Sequence, residues 1–171
     1  MTQQTILNEG AFENGIRTAI NANFTELYGA VLTSGIAPVA VTASTVTLAA
    51  GTHSNRVTTL NRAAGIAVTL PAATGTGAAY ELVVITTVTS NSTTVTCAGS
   101  DAIQGQAVVL SDDAAAVLAY DAAGTATVIT LNGTTKGGYI GHRIRLTDIA
   151  TGKWLVVSMG KATGTEATPF S

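Results

Sequence analysis

Charge is scarce in this chain. Only 11% of its 171 residues are Asp, Glu, Lys or Arg, against about 25% in ordinary soluble domains. Its surface must therefore be built largely from Thr, Ser, Asn, Gly and Ala, which suits a surface covered by copies of itself or by a partner. A monomer with a neutral polar coat is the plain alternative. The formal net charge is −2 and the eight cationic residues are scattered, so no basic field exists to hold phosphates and nucleic acid is not expected as a ligand. Arg143 and Arg145 share a strand parity, yet two arginines read as a solvated or ion-pairing row rather than a binding track. Cysteine occurs once, at Cys97, which excludes a disulfide within the chain. Its setting in Thr93-Thr94-Val95-Thr96-Cys97 makes it a small buried hydrophobe.

Long apolar runs are also missing. None reaches about 18 residues, so no membrane span is expected. Met1-Thr2-Gln3-Gln4-Thr5 lacks the basic start and apolar core of a signal peptide, which predicts a product made and kept in the cytoplasm until it is assembled into something.

Reactive sets are equally thin. His53, His142 and Cys97 are too few donors for a zinc site unless carboxylates complete it. There is no Gly-x-Ser-x-Gly elbow, and Cys97 has no histidine near it in sequence. Asp112-Asp113, which Asp101 and Asp121 could approach if hairpins stack, lacks the ordered spacing of a calcium loop and reads as a turn. Gly75-Thr76-Gly77 lacks the third glycine of a dinucleotide fingerprint, and residues 132–138 lack the order of a P-loop. No catalytic residue, cofactor or metal is therefore expected. Trp154, in a strand-like Lys153-Trp154-Leu155-Val156-Val157, is read as a core or subunit-interface residue rather than a sugar platform.

What is present falls into two parts that meet near residue 34: a helical assembly segment over 1–35 and a β domain over 36–171. The spacing predicts one amphipathic helix over 16–28, capped by Asn14, or beginning nearer Asn8 if Glu13 and Arg17 form an i,i+4 pair. Ile20, Phe24, Leu27 and Val31 recur at four-three-four spacing and share one side. With Tyr28 they are the candidate assembly surface. So short a helix is marginal alone, and its stripe must pack on the β domain, on sister helices or on another protein. The spacing fits two heptads, Ile20 and Leu27 at one core position and Phe24 and Val31 at the other.

From Pro38 onward the period becomes two. Val39, Val41 and Ala43 alternate with polar partners, then Val46, Leu48 and Ala50 do so in the opposite parity, so Ser44-Thr45 marks a bulge or a bend between sheets. Further strands are predicted at 56–60, 66–70, 80–87, 93–97, 107–110, 115–120, 126–131, 139–149 and 153–159. Leu82-Val83-Val84-Ile85 lacks alternation, which predicts a central strand covered on both faces. Ala63-Ala64-Gly65, Ser90-Asn91-Ser92, Ala122-Ala123-Gly124, Asn132-Gly133 and Thr151-Gly152 read as turns. Ala-Ala-Gly and Thr-Leu-Asn recur at unequal intervals, which is read as reused turn chemistry rather than a solenoid. Many short strands so separated predict a mainly β fold, an antiparallel sandwich or barrel-like domain with a short N-terminal helix.

Asn21-Ala22-Asn23-Phe24-Thr25-Glu26-Leu27-Tyr28 resembles a pattern, Asn-x-Asn-Phe-x-Glu-Leu-Tyr, that closes a short N-terminal helix in structural proteins of tailed bacteriophages. ITLNGTTKGG at 129–138, DIATGKW at 148–154 and TGTEATPFS at 163–171 are similar to segments of head-decoration, head-fibre and tail-fibre modules of such phages. The resemblance implies a non-enzymatic virion component, usually a symmetric trimer. Fibres that bind or cut host glycans generally carry a much larger receptor-binding region. The expectation is accordingly a capsid decoration or cement protein, a homotrimer on the outer head surface in contact with the major capsid protein or another virion protein. A short head or tail fibre contacting host glycan is the alternative.

Overall fold

Thr, Val and Leu in alternation favour extended backbone, and this composition governs most of the chain. The computed structural model describes residues 9–28, 37–112 and 116–171. The chain divides into two units, Met1–Ala37 and Pro38–Ser171.

In the first unit a single helix, α1, runs over Glu9–Tyr28. It begins well before residue 16, so Asn14 lies inside it rather than at its cap. The side chains of Glu13 and Arg17 lie outside the described residues. Near its end the Thr25 hydroxyl donates to the Asn21 carbonyl at 2.7 Å, the local bond by which Thr is accommodated in a helix.

The second unit is mainly β, two sheets packed as a sandwich. Its first half winds back and forth between them. β1 (Val39–Val41) lies in the first sheet and β2 (Thr45–Thr47) in the second, so the parity slip at Ser44-Thr45 is a crossing between sheets. A one-turn helix, α2 (Ala50–His53), leads back to β3 (Val57–Leu60) in the first sheet; β4 (Ala67–Thr69) returns to the second. β5 (Ala79–Val84) and β6 (Thr93–Thr96) repeat the move. β1, β3 and β5 consequently pair in parallel, and so do β2, β4 and β6. This is a short solenoid-like winding, concealed in the sequence because its passes differ in length.

The second half is made of longer strands: β7 (Ala102–Leu110), β8 (Val117–Ala126), β9 (Val128–Leu131), β10 (Arg143–Ala150) and β11 (Lys153–Lys161). The seven-stranded sheet has the order β1-β3-β5-β10-β11-β7-β8, and the four-stranded sheet β2-β4-β6-β9. The β10–β11 and β7–β8 pairs are antiparallel, but β11 runs parallel to β7. The sheets are thus mixed rather than wholly antiparallel.

Between them lies one core. In the four-stranded sheet Val46, Val68, Val95 and Ile129 stand in register. In the seven-stranded sheet Val41, Leu60 and Val84 do the same, and all but the half-buried Val46 are buried. Trp154 is 1% exposed and meets Tyr80 edge-on, ring centroids 5.7 Å apart at 67°, a favoured aromatic geometry. Cys97 is buried.

Three further expectations differ from the structure. Leu82-Val83-Val84-Ile85 is central in its sheet but covered on one face only: Leu82 and Val84 point into the core while Ile85 is exposed. Ala122-Ala123-Gly124 is not a turn but the interior of β8. The strand expected from Tyr139 begins only at Arg143, because Gly141 at positive φ makes a turn there.

Candidate functional site

Of the predicted assembly residues, Ile20, Phe24, Leu27 and Tyr28 belong to α1. Ile20, Phe24 and Leu27 are 46%, 52% and 59% exposed, and with Asn23 they line one shallow apolar cleft of about 260 Å³. The Tyr28 side chain and the whole of Val31 lie outside the described residues. Three large apolar side chains along one exposed stripe cost solvation in a free helix, and burying each in an assembly recovers about 1.5–3 kcal/mol.

Candidates for chemistry are turned to structural ends. His142 is 2% exposed, its Nδ1 accepting from the Gly138 N–H at 3.2 Å and its Nε2 standing 2.9 Å from Ser158 Oγ. Burial pushes its pKa down to about 4, so the ring is neutral at pH 7. With Nδ1 the acceptor, the proton sits on Nε2 and is donated to Ser158. A serine activated by histidine needs the reverse arrangement, an unprotonated nitrogen facing the hydroxyl. The pair is packed against Gly160, where a side chain would run into the imidazole. His53 likewise serves the backbone: its Nδ1 accepts from the Ala49 N–H at 3.0 Å, tying the start of α2.

Asp148 is 2% exposed, and its carboxylate accepts from the N–H groups of Thr74 (3.1 Å), Gly75 (2.7 Å) and Thr76 (3.0 Å) and from the Thr76 hydroxyl (2.8 Å). Burial raises its pKa, but these donors together outweigh burial and hold it at about 2, as expected for a carboxylate ringed by N–H groups. Asp101 fixes the same loop from the other end, accepting from the Ala73 N–H at 2.7 Å. The glycine-flanked Gly75-Thr76-Gly77 segment therefore wraps one of the protein's own carboxylates.

The other acids do not gather. Asp112 accepts from the Gly164 N–H at 3.2 Å, Asp121 is exposed on β8, and Asp113 lies outside the described residues. Among the described residues no group of three His, Cys, Asp or Glu could hold a metal ion, and no helix is long and apolar enough to cross a membrane. Burial, then the Asp101 charge, pushes the Cys97 thiol up to about 11, which leaves it protonated and unreactive. Arg143 forms an ion pair with Glu81 on the neighbouring strand, so the arginine row is in part an ion-pairing row.

A second apolar surface escaped the sequence reading. On the outer face of the seven-stranded sheet Leu155, Val157 and Met159 of β11 are 39%, 59% and 54% exposed, beside Leu110 at 46% and Val117 at 64%. Its signal was in the sequence: β11 reads Lys-Trp-Leu-Val-Val-Ser-Met-Gly-Lys, apolar in both parities, where a strand with one watered face alternates. Comparison with known family models, curated proteins and solved structures finds no match for this chain.

Proposed function

We propose that this chain is a non-enzymatic structural protein of a tailed-phage virion, a capsid decoration or cement protein that assembles as a homotrimer through α1 and binds the outer surface of the head. One observation carries the reading: Ile20, Phe24 and Leu27 form an exposed apolar stripe, within the segment that resembles the phage helix pattern. The protein would act by burying surface across neighbouring capsid subunits, so that rupture must also break those contacts. Stable interfaces bury about 1,200–2,000 Å², and a closed ring makes the contacts cooperative.

Changing Phe24→Asp together with Leu27→Asp should abolish trimers or capsid binding, measured by native mass spectrometry and by occupancy on purified capsids. An unchanged mass with unchanged occupancy refutes the role. Immunogold labelling of intact virions gives the location: regular labelling over the head supports decoration, whereas labelling confined to the tail moves the case to a fibre. The fibre reading is the weaker one. Tyr139, its natural glycan contact, has its hydroxyl 3.0 Å from Thr163 Oγ1 and its ring under the Lys161 ammonium at 5.7 Å, so both parts of the side chain are occupied within the fold.

A further inference from the structure

We propose that the outer face of the seven-stranded sheet is a second self-association surface, on which one copy of the chain packs face to face against the same face of another about a two-fold axis parallel to the strands. The inference does not rest on α1. It rests on a row of residues in register across five strands: Glu81 of β5, Arg145 of β10, Val157 of β11, Gln106 of β7 and Asp121 of β8. Arg145 and Asp121 are both exposed. Three strand spacings of about 4.8 Å separate them, too far for an ion pair within one chain.

A two-fold axis running between β11 and β7 exchanges the outer strands of this set, β10 with β8, and the inner ones, β11 with β7. Arg145 of each copy then faces Asp121 of the other, twice per pair, and Val157 faces Gln106. The neighbouring row behaves alike. It reads Arg143, Met159, Val108, Ala119, and the same rotation sets Met159 against Val108 and Arg143 against the small Ala119. Opposite charges meet at both flanks; at the centre Met159 meets Val108, while Val157 and Leu155 lie over the glutamines Gln106 and Gln104, a self-complementary pattern of the kind an isologous contact needs.

Shape agrees with charge. The face carries a shallow depression of about 600 Å³ over Gly105, between Val157 and Asp121. Gly105 has φ 128°, and a side chain there would collide with the Val156 carbonyl, so only glycine fits at this point of the hollow. The rotation brings Leu155 and Val157 of the second copy over it. Four strands about 4.8 Å apart and nine residues at about 3.3 Å each give roughly 570 Å² per copy, or roughly 1,100 Å² for the pair. That passes the threshold of about 1,000 Å² for a specific interface.

The test uses the full chain carrying Phe24→Asp and Leu27→Asp, so that association through α1 does not contribute, studied by sedimentation equilibrium over a concentration series. Expected are a reversible dimer, at least about a tenfold rise in its dissociation constant for Arg145→Glu or for Asp121→Arg alone, and recovery when both are combined, since the swapped pair attracts again. The charge changes are on exposed positions, and thermal unfolding of each variant is followed to show that the fold is kept. A monomer at every concentration overturns the proposal and leaves the face to a different protein. A dimer whose double swap is no tighter than either single change overturns it as well.

Discussion

The two sheets of the β unit share a core, yet their outer faces differ sharply. Across the four-stranded sheet the outward rows read Thr45, Ala67, Thr94, Thr130 and Thr47, Thr69, Thr96, Val128: uncharged, small and dominated by hydroxyls. Across the seven-stranded sheet the outward rows carry Leu155, Val157 and Met159 between Arg145 and Asp121. Threonine is well suited to a pleated surface that stays wet, because its branched stem favours the strand while its hydroxyl meets water. Leu, Val and Met set between opposite charges suit a surface that meets protein. Low overall charge is therefore distributed unevenly in one molecule, a neutral hydroxyl coat on one side and, on the face proposed for self-association, an apolar strip between opposite charges.

The largest test strikes what both faces stand on. Trp154→Ala removes the biggest side chain of the shared core and should cost about 3–5 kcal/mol in chemical denaturation, whatever happens to association. A loss below about 1 kcal/mol would mean that the sheets hold without it.

Acid gives the next effect. Folded His142 has a pKa of about 4 against an ordinary 6.5, so between these values the unfolded chain takes up a proton that the folded chain refuses. Stability should be level above about pH 6.5 from this group and fall by about 3 kcal/mol as pH drops to 4. Asp148, held at about 2 against 3.8, adds a separate loss below that window, as pH falls from 3.8 towards 2. His142→Gln should flatten the upper window and leave the lower one. An unchanged slope between pH 6.5 and 4 in that variant would remove His142 from the account.

The smallest effect sharpens the contrast itself. Thr69→Lys on the four-stranded sheet and Val157→Lys on the seven-stranded sheet both place an ammonium on an exposed strand position. Each should change stability by only about 0.5 kcal/mol, and Val157→Lys alone should abolish the face-to-face dimer. Equal effects of the two on sedimentation would show that the faces are not distinct.

The strands were largely legible in the sequence, because alternation such as Thr93-Thr94-Val95-Thr96 fixes which side chains turn inward. Which strands pair was not. A period of two is the same for parallel and antiparallel neighbours, so the winding through β1 to β6 left no mark beyond the parity slip at Ser44-Thr45. Ala122-Ala123-Gly124 looked like a turn because glycine beside small residues commonly is one; here it continues a strand whose neighbour, Gly105, is also a glycine. Ile20, Phe24 and Leu27 could be found from helical spacing alone. Pairs such as His142 with Ser158, or Asp148 with Thr74 to Thr76, could not, since contacts between distant segments depend on strand order.

The strand order also bears on how the chain reaches its fold. β10 and β11 stand between β5 and β7, so the middle of the larger sheet is supplied by strands that follow all its other strands in the chain. Until residues 143–161 emerge, the earlier strands of that sheet are two fragments with open edges and half a core. Phe170 and Ser171 then pair with β9 to complete the smaller sheet. Pairings of such long sequence separation close slowly and leave unpaired edges exposed meanwhile. The hairpin of β10 and β11 is thus a keystone between two earlier fragments, which makes the larger sheet an all-or-none unit rather than one that grows pass by pass from β1.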